Sequence, residues 1–247
     1  MTMDGQNGIA IEARDLSRRY GRRWALANVA LRIPRGASVM LAGRNGSGKS
    51  TLLRVLSTAI RPDRGNAKIE GFDLLGQRAE VRKRTALLGH YTNSYEALSP
   101  LQNLTITSNM LGLATTRAEL LELLDQVGLA ERSDDSVSGF SAGMKKRLSI
   151  ARVLLQVEME GGASVVFLDE PYNQLDPPGF RFVDGLFQKL RARGTTVVVA
   201  THLIDRGAAL CDLGIVLEGG RLVWEGPAAE LPARGGLEPA ILNEGVA

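Results

Sequence analysis

A glycine-rich segment at residues 43–51, Gly-Arg-Asn-Gly-Ser-Gly-Lys-Ser-Thr, constrains the fold of this chain more than any other part of the sequence. Gly43, Gly48, Lys49 and Ser50 occupy the fixed positions of the pattern G-x-x-x-x-G-K-[ST]. The glycines let consecutive main-chain N–H groups turn toward phosphates, while Lys49 adds a cation and the Ser50 hydroxyl can ligate Mg²⁺. The segment therefore predicts a loop that binds the phosphates of a nucleoside triphosphate.

The segments on either side of this loop support that interpretation. Residues 37–42 form an apolar run that predicts a buried strand leading into the loop, and residues 51–57 predict a helix leading out of it. A helix that begins at the loop adds the positive end of its dipole to the phosphate site. This order of elements favours a nucleotide site over an ordinary Gly/Ser loop.

A second informative segment is the apolar run at 164–168, which is followed by Asp169 and Glu170. Such a strand places both carboxylates at the carboxyl edge of a sheet, where α/β proteins bind their ligands. Asp169 can hold Mg²⁺ through its water shell, and Glu170 can orient or deprotonate the attacking water in phosphoryl transfer. The sequence predicts that both acids lie beside the phosphate loop.

The remaining pattern predicts an α/β fold with two kinds of strand. Residues 9–35 alternate polar and apolar stretches around a turn at 20–23, which is typical of antiparallel strands at a sheet edge. Strand patterns at 164–169 and 195–200 flank a helical stretch at 180–193, as in a parallel sheet covered by helices. Further predicted elements are a strand at 86–89, a helix at 117–127 and a hairpin of strands 213–217 and 221–224.

Three regions follow from this pattern. A discontinuous nucleotide-binding core is predicted at 8–90 and 151–230, with a mostly helical subdomain at 91–150 between its two parts. Residues 231–247 are rich in Gly, Pro and Glu and lack periodicity, so we expect a loosely ordered tail.

Composition excludes several classes of protein. A net charge of +3 is too small to predict a nucleic-acid partner. The single cysteine, Cys211, excludes an internal disulfide and favours a reducing compartment. The first ten residues lack the basic and apolar regions of a secretory signal, and no window approaches the ~20 apolar residues that cross a bilayer. We expect a cytoplasmic chain whose membrane role, if it has one, comes through a partner.

Residues 140–152, Phe-Ser-Ala-Gly-Met-Lys-Lys-Arg-Leu-Ser-Ile-Ala-Arg, resemble the signature motif of the ATPase subunits of ABC transporters. The other motifs of that family occur in the expected order over about 10–230, with Asn-Gln-Leu-Asp at 173–176 in the place of the D-loop. The resemblance implies a P-loop NTPase fold of the ABC ATPase type, with a mixed sheet core, antiparallel edge strands and a helical subdomain. It also implies ATP hydrolysis coupled to transport across a membrane.

The resemblance assigns roles residue by residue. Tyr20 matches the aromatic residue that stacks on adenine, His202 the histidine that contacts the γ-phosphate, and Asp176 an acid that acts across a dimer interface. The implied catalytic residues are Glu170, His202 and Lys49, and the implied metal ligands are Ser50 and Asp169. The implied cofactor-binding residues are Tyr20, Gly43, Asn45, Gly46, Gly48, Lys49, Ser50, Thr51, Ser141, Gly143 and Asp176.

Ser141 is expected to cap a helix, which would aim free N–H groups and a positive dipole end at an anion. In the ABC family that anion is the γ-phosphate held by the other protomer. The resemblance therefore implies ATP and Mg²⁺ as cofactors, bound between two head-to-tail ATPase subunits that form a homodimer. It further implies integral-membrane permease subunits as partners and a peripheral location on the cytoplasmic face of the cell membrane.

The chain departs from the family pattern at two motifs. The usual signature is Leu-Ser-Gly-Gly-Gln, of which Ser141 and Gly143 remain, and Met144 cannot hydrogen-bond as glutamine would. Residues 145–147, Lys-Lys-Arg, are interpreted as a solvated helix face. The family's metal-contacting glutamine is missing from residues 88–93, where His90 or Tyr91 takes its place or the coupling to the permease is altered.

Two short segments of the sequence indicate a subgroup of this family. Gly-His at 89–90 and Asp-Glu-Pro-Tyr at 169–172 resemble the haem-exporter ATPase of cytochrome c maturation, so haem-related cargo is the leading expectation. The alternative is an ABC-2 type exporter of drugs, lipids or polysaccharides, whose signatures also end in Gly-Met. A soluble ABC ATPase of translation or DNA repair would normally show two cassettes or a long coiled-coil insertion. A nucleotide-binding subunit with little turnover stays open, although Glu170 and His202 weigh against it.

Overall fold

The computed structural model describes residues 8–90, 93–159 and 161–233, and two β-sheets organise this part of the chain. The strands are β1 (Ile9–Tyr20), β2 (Arg23–Pro34), β3 (Ser38–Ala42), β4 (Arg64–Ile69), β5 (Phe72–Asp73), β6 (Thr85–Leu88), β7 (Val165–Asp169), β8 (Thr196–Ala200), β9 (Leu213–Glu218) and β10 (Arg221–Pro227). The helices are α1 (Lys49–Leu56), α2 (Arg78–Arg84), α3 (Pro100–Leu111), α4 (Arg117–Gln126), α5 (Ala142–Glu158), α6 (Pro177–Ala192), α7 (Ile204–Leu210) and α8 (Glu230–Ala233).

The larger sheet has six strands in the order β10-β9-β3-β8-β7-β6. All neighbours pair in parallel except the final hairpin, where β10 runs antiparallel to β9. Every residue of β3, β7 and β8 is buried, which explains why these strands appear in the sequence as unbroken apolar runs rather than as alternating patterns. The predicted parallel sheet and terminal hairpin are both confirmed.

Strand register brings the motifs of the sequence to one edge of this sheet. Leu41 of β3 pairs with Ala200 of β8, and Ala200 pairs in turn with Asp169 of β7. The carboxyl ends of three neighbouring strands therefore meet. The phosphate loop follows β3, the acids end β7, and His202 follows β8, so segments far apart in sequence converge here.

The smaller sheet is antiparallel, with the strand order β2-β1-β4-β5. The predicted turn after Tyr20 is confirmed, and the strands on either side of it form a sheet of their own. Helix α1 supplies buried leucines to the same apolar cluster as both sheets, and that cluster includes Ile11, Leu26, Leu53, Phe167 and Val198. Helix α1 therefore packs against both sheets.

Helices α3, α4 and α5 lie in sequence between β6 and β7 and pack on one another and on the other face of the large sheet. Ser99 forms a capping box at the start of α3, and Thr116 forms one at the start of α4. Helix α5 extends from Ala142 to Glu158, so one continuous helix crosses the predicted boundary at 150/151. The division into core and subdomain stays a prediction.

Element boundaries differ from the sequence-based expectations by a few residues. The helix expected at 51–57 begins at Lys49 because the last residues of the phosphate loop form its first turn. The helix expected at 180–193 begins at Pro177, since Asp176 caps it and proline is well tolerated in a first turn. Of the predicted tail, residues up to 233 belong to α8, and 234–247 lie outside the described residues. No helix in the described ranges is both long and apolar enough to cross a membrane.

Candidate functional site

An open cavity of about 820 Å³ lies at the carboxyl edge of the parallel strands. Its walls come from the antiparallel sheet, the phosphate loop, α1 and the loops after β6, β7 and β8. The lining residues are Tyr20, Arg23, Ala25, Asn45, Gly46, Gly48, Lys49, Ser50, Thr51, His90, Glu170, Asn173 and His202. Most of the predicted cofactor-binding and catalytic residues are thus brought together around one space.

The phosphate loop has a backbone that only glycine can supply at two points. Gly43 and Gly48 have φ angles of 145° and 112°. A β-carbon at Gly43 would lie 2.3 Å from the Leu217 carbonyl oxygen, and one at Gly48 would lie 2.4 Å from the Ala25 carbonyl oxygen. Gly48 also begins α1 without a side-chain cap, so the first N–H groups of the helix are left for an anion.

Lys49 is held inside the loop rather than extended into solvent. Its side chain is 7% exposed, and Nζ donates hydrogen bonds to the Gly43 carbonyl at 2.7 Å and the Arg44 carbonyl at 3.2 Å. Desolvation lowers the pKa of Lys49, while the nearby Glu170 and Asp169 carboxylates oppose that shift. The ammonium is therefore a pre-positioned charge at the floor of the cavity.

Ser50 and Asp169 contact each other directly. The Ser50 hydroxyl donates to Asp169 Oδ1 at 2.9 Å, and Asp169 is only 3% exposed at the end of β7. A hydroxyl and a carboxylate are hard oxygen ligands of the kind Mg²⁺ takes together with water and substrate phosphates. Their chemistry and contact fit the expected metal site.

Glu170 points toward the histidine that follows β8. His202 Nδ1 and Glu170 Oε2 are 2.9 Å apart, and the His202 side chain is 59% exposed at the mouth of the cavity. The backbone of Glu170 has a φ of 48°, a left-handed conformation that is unfavourable for a residue with a β-carbon. Strain of this kind accumulates at functional sites because surrounding contacts enforce it.

Lys146 corrects one sequence-based interpretation. We expected residues 145–147 to form a solvated helix face, and this prediction is wrong for Lys146. Lys146 is only 2% exposed, and its Nζ donates a hydrogen bond to the Glu170 carbonyl oxygen at 3.1 Å. Desolvation lowers the pKa of Lys146 to about 8, against the opposing effect of Asp169 and Glu170. By contrast, Lys145 forms a 2.8 Å ion pair with Glu96 nearer the surface.

Tyr20 is 48% exposed and lines the cavity, and the Arg18 guanidinium carbon lies 5.2 Å from the centroid of its ring. Three lining residues were not among the predicted site residues, namely Arg23, Ala25 and Asn173. Arg23 Nη2 lies 3.8 Å from the position that a β-carbon of Gly46 would take, so its guanidinium overhangs the phosphate loop. The only available signal for Arg23 was its place just after the turn that presents Tyr20.

The signature segment lies elsewhere on the chain. Ser141 caps α5 as predicted, its hydroxyl accepting a hydrogen bond from the Met144 N–H at 3.2 Å. Ser141, Gly143 and Asp176 are not among the described residues that line the cavity. The nucleotide contacts expected of these three residues stay a prediction.

Asp176 has a role inside its own chain. Its carboxylate caps α6 by accepting a hydrogen bond from the Gly179 N–H at 2.9 Å. A β-carbon at Gly143 would lie 3.3 Å from the Gln174 carbonyl, so the segment before Asp176 packs on the start of α5. The action of Asp176 across a dimer interface stays a prediction.

Two further residues bear on the sequence-based expectations. His90 lines the cavity, whereas Tyr91, the other candidate for the missing glutamine, lies outside the described residues.

Tyr172, which suggested the haem-export subgroup, is buried and donates its hydroxyl to Asp184 Oδ1 at 2.8 Å. Burial and this hydrogen bond raise the pKa of Tyr172, which packs as a core residue.

The phosphate loop lies beside a parallel strand that ends at two acids and a neighbouring strand that is followed by a histidine. This combination defines a P-loop nucleoside triphosphatase. Residues 26–173 match the family described as ABC transporter. The chain belongs to the ABC transporter family as an ATP-binding subunit, an ATPase whose hydrolysis is coupled to transport.

Curated relatives include exporter components. The chain is 38% identical to a daunorubicin resistance ATP-binding protein of Streptomyces coeruleorubidus, over 92% of this chain and 71% of that protein. It is 31% identical to a Nod factor export ATP-binding protein of Rhizobium etli, over 90% of this chain and 69% of that protein.

Solved structures share the fold. An ATP-binding subunit of an ABC transporter matches at a TM-score of 0.80 and 27% identity, over 92% of this chain and 94% of that one. A dimeric ATP-binding cassette in a post-hydrolysis state, bound to ADP and Pi, matches at a TM-score of 0.79 and 24% identity, over 88% and 98% of the two chains.

Proposed function

We propose that two copies of this chain close around two Mg·ATP molecules and that each copy completes the site of the other. One observation carries this proposal: within a single chain, the exposed helix start at Ser141 is not part of the cavity at the phosphate loop. Each half alone could bind only one side of a triphosphate. A two-fold, head-to-tail pair would unite them.

Within each cavity, Tyr20 would stack on the base, and the loop N–H groups with Lys49 would hold the phosphates. Gly43, Asn45, Gly46, Gly48 and Thr51 would contribute through the loop and the first turn of α1. Ser50 and Asp169 would hold Mg²⁺, which supplies charge neutralisation at the phosphate oxygens when bound.

For hydrolysis, Glu170 is proposed to orient the attacking water and to take one of its protons. The water oxygen bonds to the γ-phosphorus as the bond to the ADP oxygen breaks. His202, already in contact with Glu170, would hold the carboxylate and the γ-phosphate in line. Ser141 and Gly143 of the second copy would place N–H donors on the same phosphate, with Asp176 near the interface.

The proposed partner is an integral-membrane export permease, which would place the subunit on the cytoplasmic face of the cell membrane. The names of the drug-resistance and Nod factor relatives support an ABC-2 type exporter. None of the relatives described above supports the haem-related cargo expected from local strings, and Tyr172 has a packing role instead. We therefore favour a drug-like or lipid-like cargo over haem.

Affinity purification from membranes tests the coupling. The tagged chain should recover a hydrophobic permease, and ATP hydrolysis by the complex should rise when the permease is reconstituted in vesicles. A tagged Glu170→Gln variant should recover the same permease and serve as the turnover-free control. Recovery of ribosomes, or of a haem-export permease, would contradict the proposed assignment.

A further inference from the structure

Lys146 is a buried cation that the proposed hydrolysis has not yet used. It lies on α5, the helix that begins at Ser141, and only 2% of its side chain is exposed. Burying an ammonium costs free energy unless nearby groups compensate for the lost hydration. A chain that keeps a lysine at such a position must therefore supply partners for its charge.

Those partners belong to the candidate site. Lys146 Nζ donates to the main-chain carbonyl oxygen of Glu170 at 3.1 Å. The Asp169 and Glu170 carboxylates also stabilise its charge, since both oppose the effect of desolvation on the Lys146 pKa. The ammonium is thus fixed beneath the residue proposed to activate water.

The Glu170 backbone needs such support. Its φ of 48° is unfavourable for a residue with a β-carbon. Its N–H donates to the Ala200 carbonyl at 2.9 Å, and its carbonyl accepts from the Asn173 N–H at 3.3 Å as well as from Lys146. Of these contacts, the one from Lys146 is the only direct link from α5 to the carbonyl among the described residues.

Helix α5 can transmit a displacement between its ends. Ser141 caps its first turn, and Lys146 lies in the next turn of the same hydrogen-bonded helix. A shift of the exposed helix start would therefore move the ammonium and, through it, the Glu170 carbonyl. The exposed start is the part of α5 that would meet the nucleotide of a second copy.

We propose that Lys146 is a positioning residue, which holds the Glu170 main chain from α5 so that the carboxylate is aligned when the helix start engages the partner's nucleotide. This inference rests on the proposed function of Glu170 and Ser141. It adds a physical connection between the signature helix and the catalytic carboxylate of the same subunit. Lys145, on the same helix, has no part in it.

The first test compares Lys146→Met, Lys146→Arg and Lys145→Met. Lys146→Met keeps an unbranched side chain one atom shorter but removes its charge and its donors, so kcat for ATP hydrolysis should fall about tenfold or more. ATP affinity should stay within about twofold, because Lys146 does not line the cavity. Lys146→Arg keeps a charged donor and should recover most of the lost kcat, while Lys145→Met should resemble the parent.

Thermal unfolding of each variant separates positioning from stability. A Lys146→Met protein that loses kcat, ATP affinity and thermal stability together, with no recovery in Lys146→Arg, would show a merely structural role and overturn the proposal. An unchanged kcat in Lys146→Met would overturn it as well.

A double-mutant cycle with Glu170→Gln gives the sharper readout. If Lys146 acts through Glu170, then adding Lys146→Met to Glu170→Gln should change residual single-turnover phosphate release by less than about twofold. If the rate losses of the two single variants multiply in the double variant, Lys146 acts independently of Glu170. An inactive parent protein would instead refute the proposed hydrolysis itself, so the two failures are distinguishable.

Discussion

The phosphate loop and the signature segment present different kinds of surface. Around the loop, the side chains proposed for catalysis and metal binding are paired within the chain: Lys49 with loop carbonyls, Ser50 with Asp169, and Glu170 with His202. At the signature, Ser141 is exposed, and its hydroxyl accepts the capping hydrogen bond from the Met144 N–H. Both regions present the N–H groups of a helix start, and the loop region adds a buried lysine and paired acidic side chains beside them. The difference between the two regions is what the proposed dimer requires, since each region would supply one half of a nucleotide site.

Glu170→Gln should give the largest effect. The amide keeps the size of the side chain but cannot accept a proton, so turnover should fall by about 10²- to 10⁴-fold. ATP binding should persist, and a closed dimer should accumulate in ATP. Phosphate release together with light scattering checks both expectations. Turnover at the parental rate would remove Glu170 from its proposed role.

Lys49→Ala should have the next largest effect, on the loop side of the comparison. Loss of a buried, charge-assisted contact should weaken ATP affinity by roughly 10- to 100-fold, as measured by calorimetry. Lys68→Ala, which removes an exposed lysine from β4, is the matched control. Equal affinities of the two variants for ATP would mean that the loop does not bind phosphates as proposed.

Ser141→Ala tests the signature segment, the second of the two regions compared. Removing the cap destabilises the start of α5 by about 1 kcal/mol, and the proposed dimer needs that helix start formed. ATP-driven dimerisation should therefore weaken by up to roughly fivefold, while ATP affinity of the single chain is unchanged. Thr116→Ala removes the equivalent cap from α4 and controls for stability. Sedimentation at several protein concentrations measures the difference. Identical dimerisation of the two variants would erase the distinction between the two regions.

Arg23→Ala should give the smallest effect. Its guanidinium is exposed at the cavity, so ATP affinity should fall by only about two- to fivefold, and less at high salt. Arg22→Ala removes the adjacent exposed charge, which does not line the cavity, and should leave affinity unchanged. Equal losses in both variants would indicate a general charge effect.

The sequence predicted the elements that carry motifs well, because each motif has its own local signal. Glycine spacing located the loop, and an apolar run ending in acids located β7. Lys146 was misassigned because the charge run suggested solvent, while burial of α5 on several sides depends on tertiary packing. Arg23 was missed because its closeness to Gly46 depends on how the antiparallel sheet meets the loop.

The backbone conformation of Glu170 was equally invisible in the sequence, and it has an evolutionary consequence. Glycine and asparagine tolerate a left-handed φ better than glutamate does. Selection for folding alone would then favour their appearance at this position once hydrolysis is no longer needed. A related gene with either substitution would be a natural candidate for a cassette that still binds nucleotide but has given up catalysis.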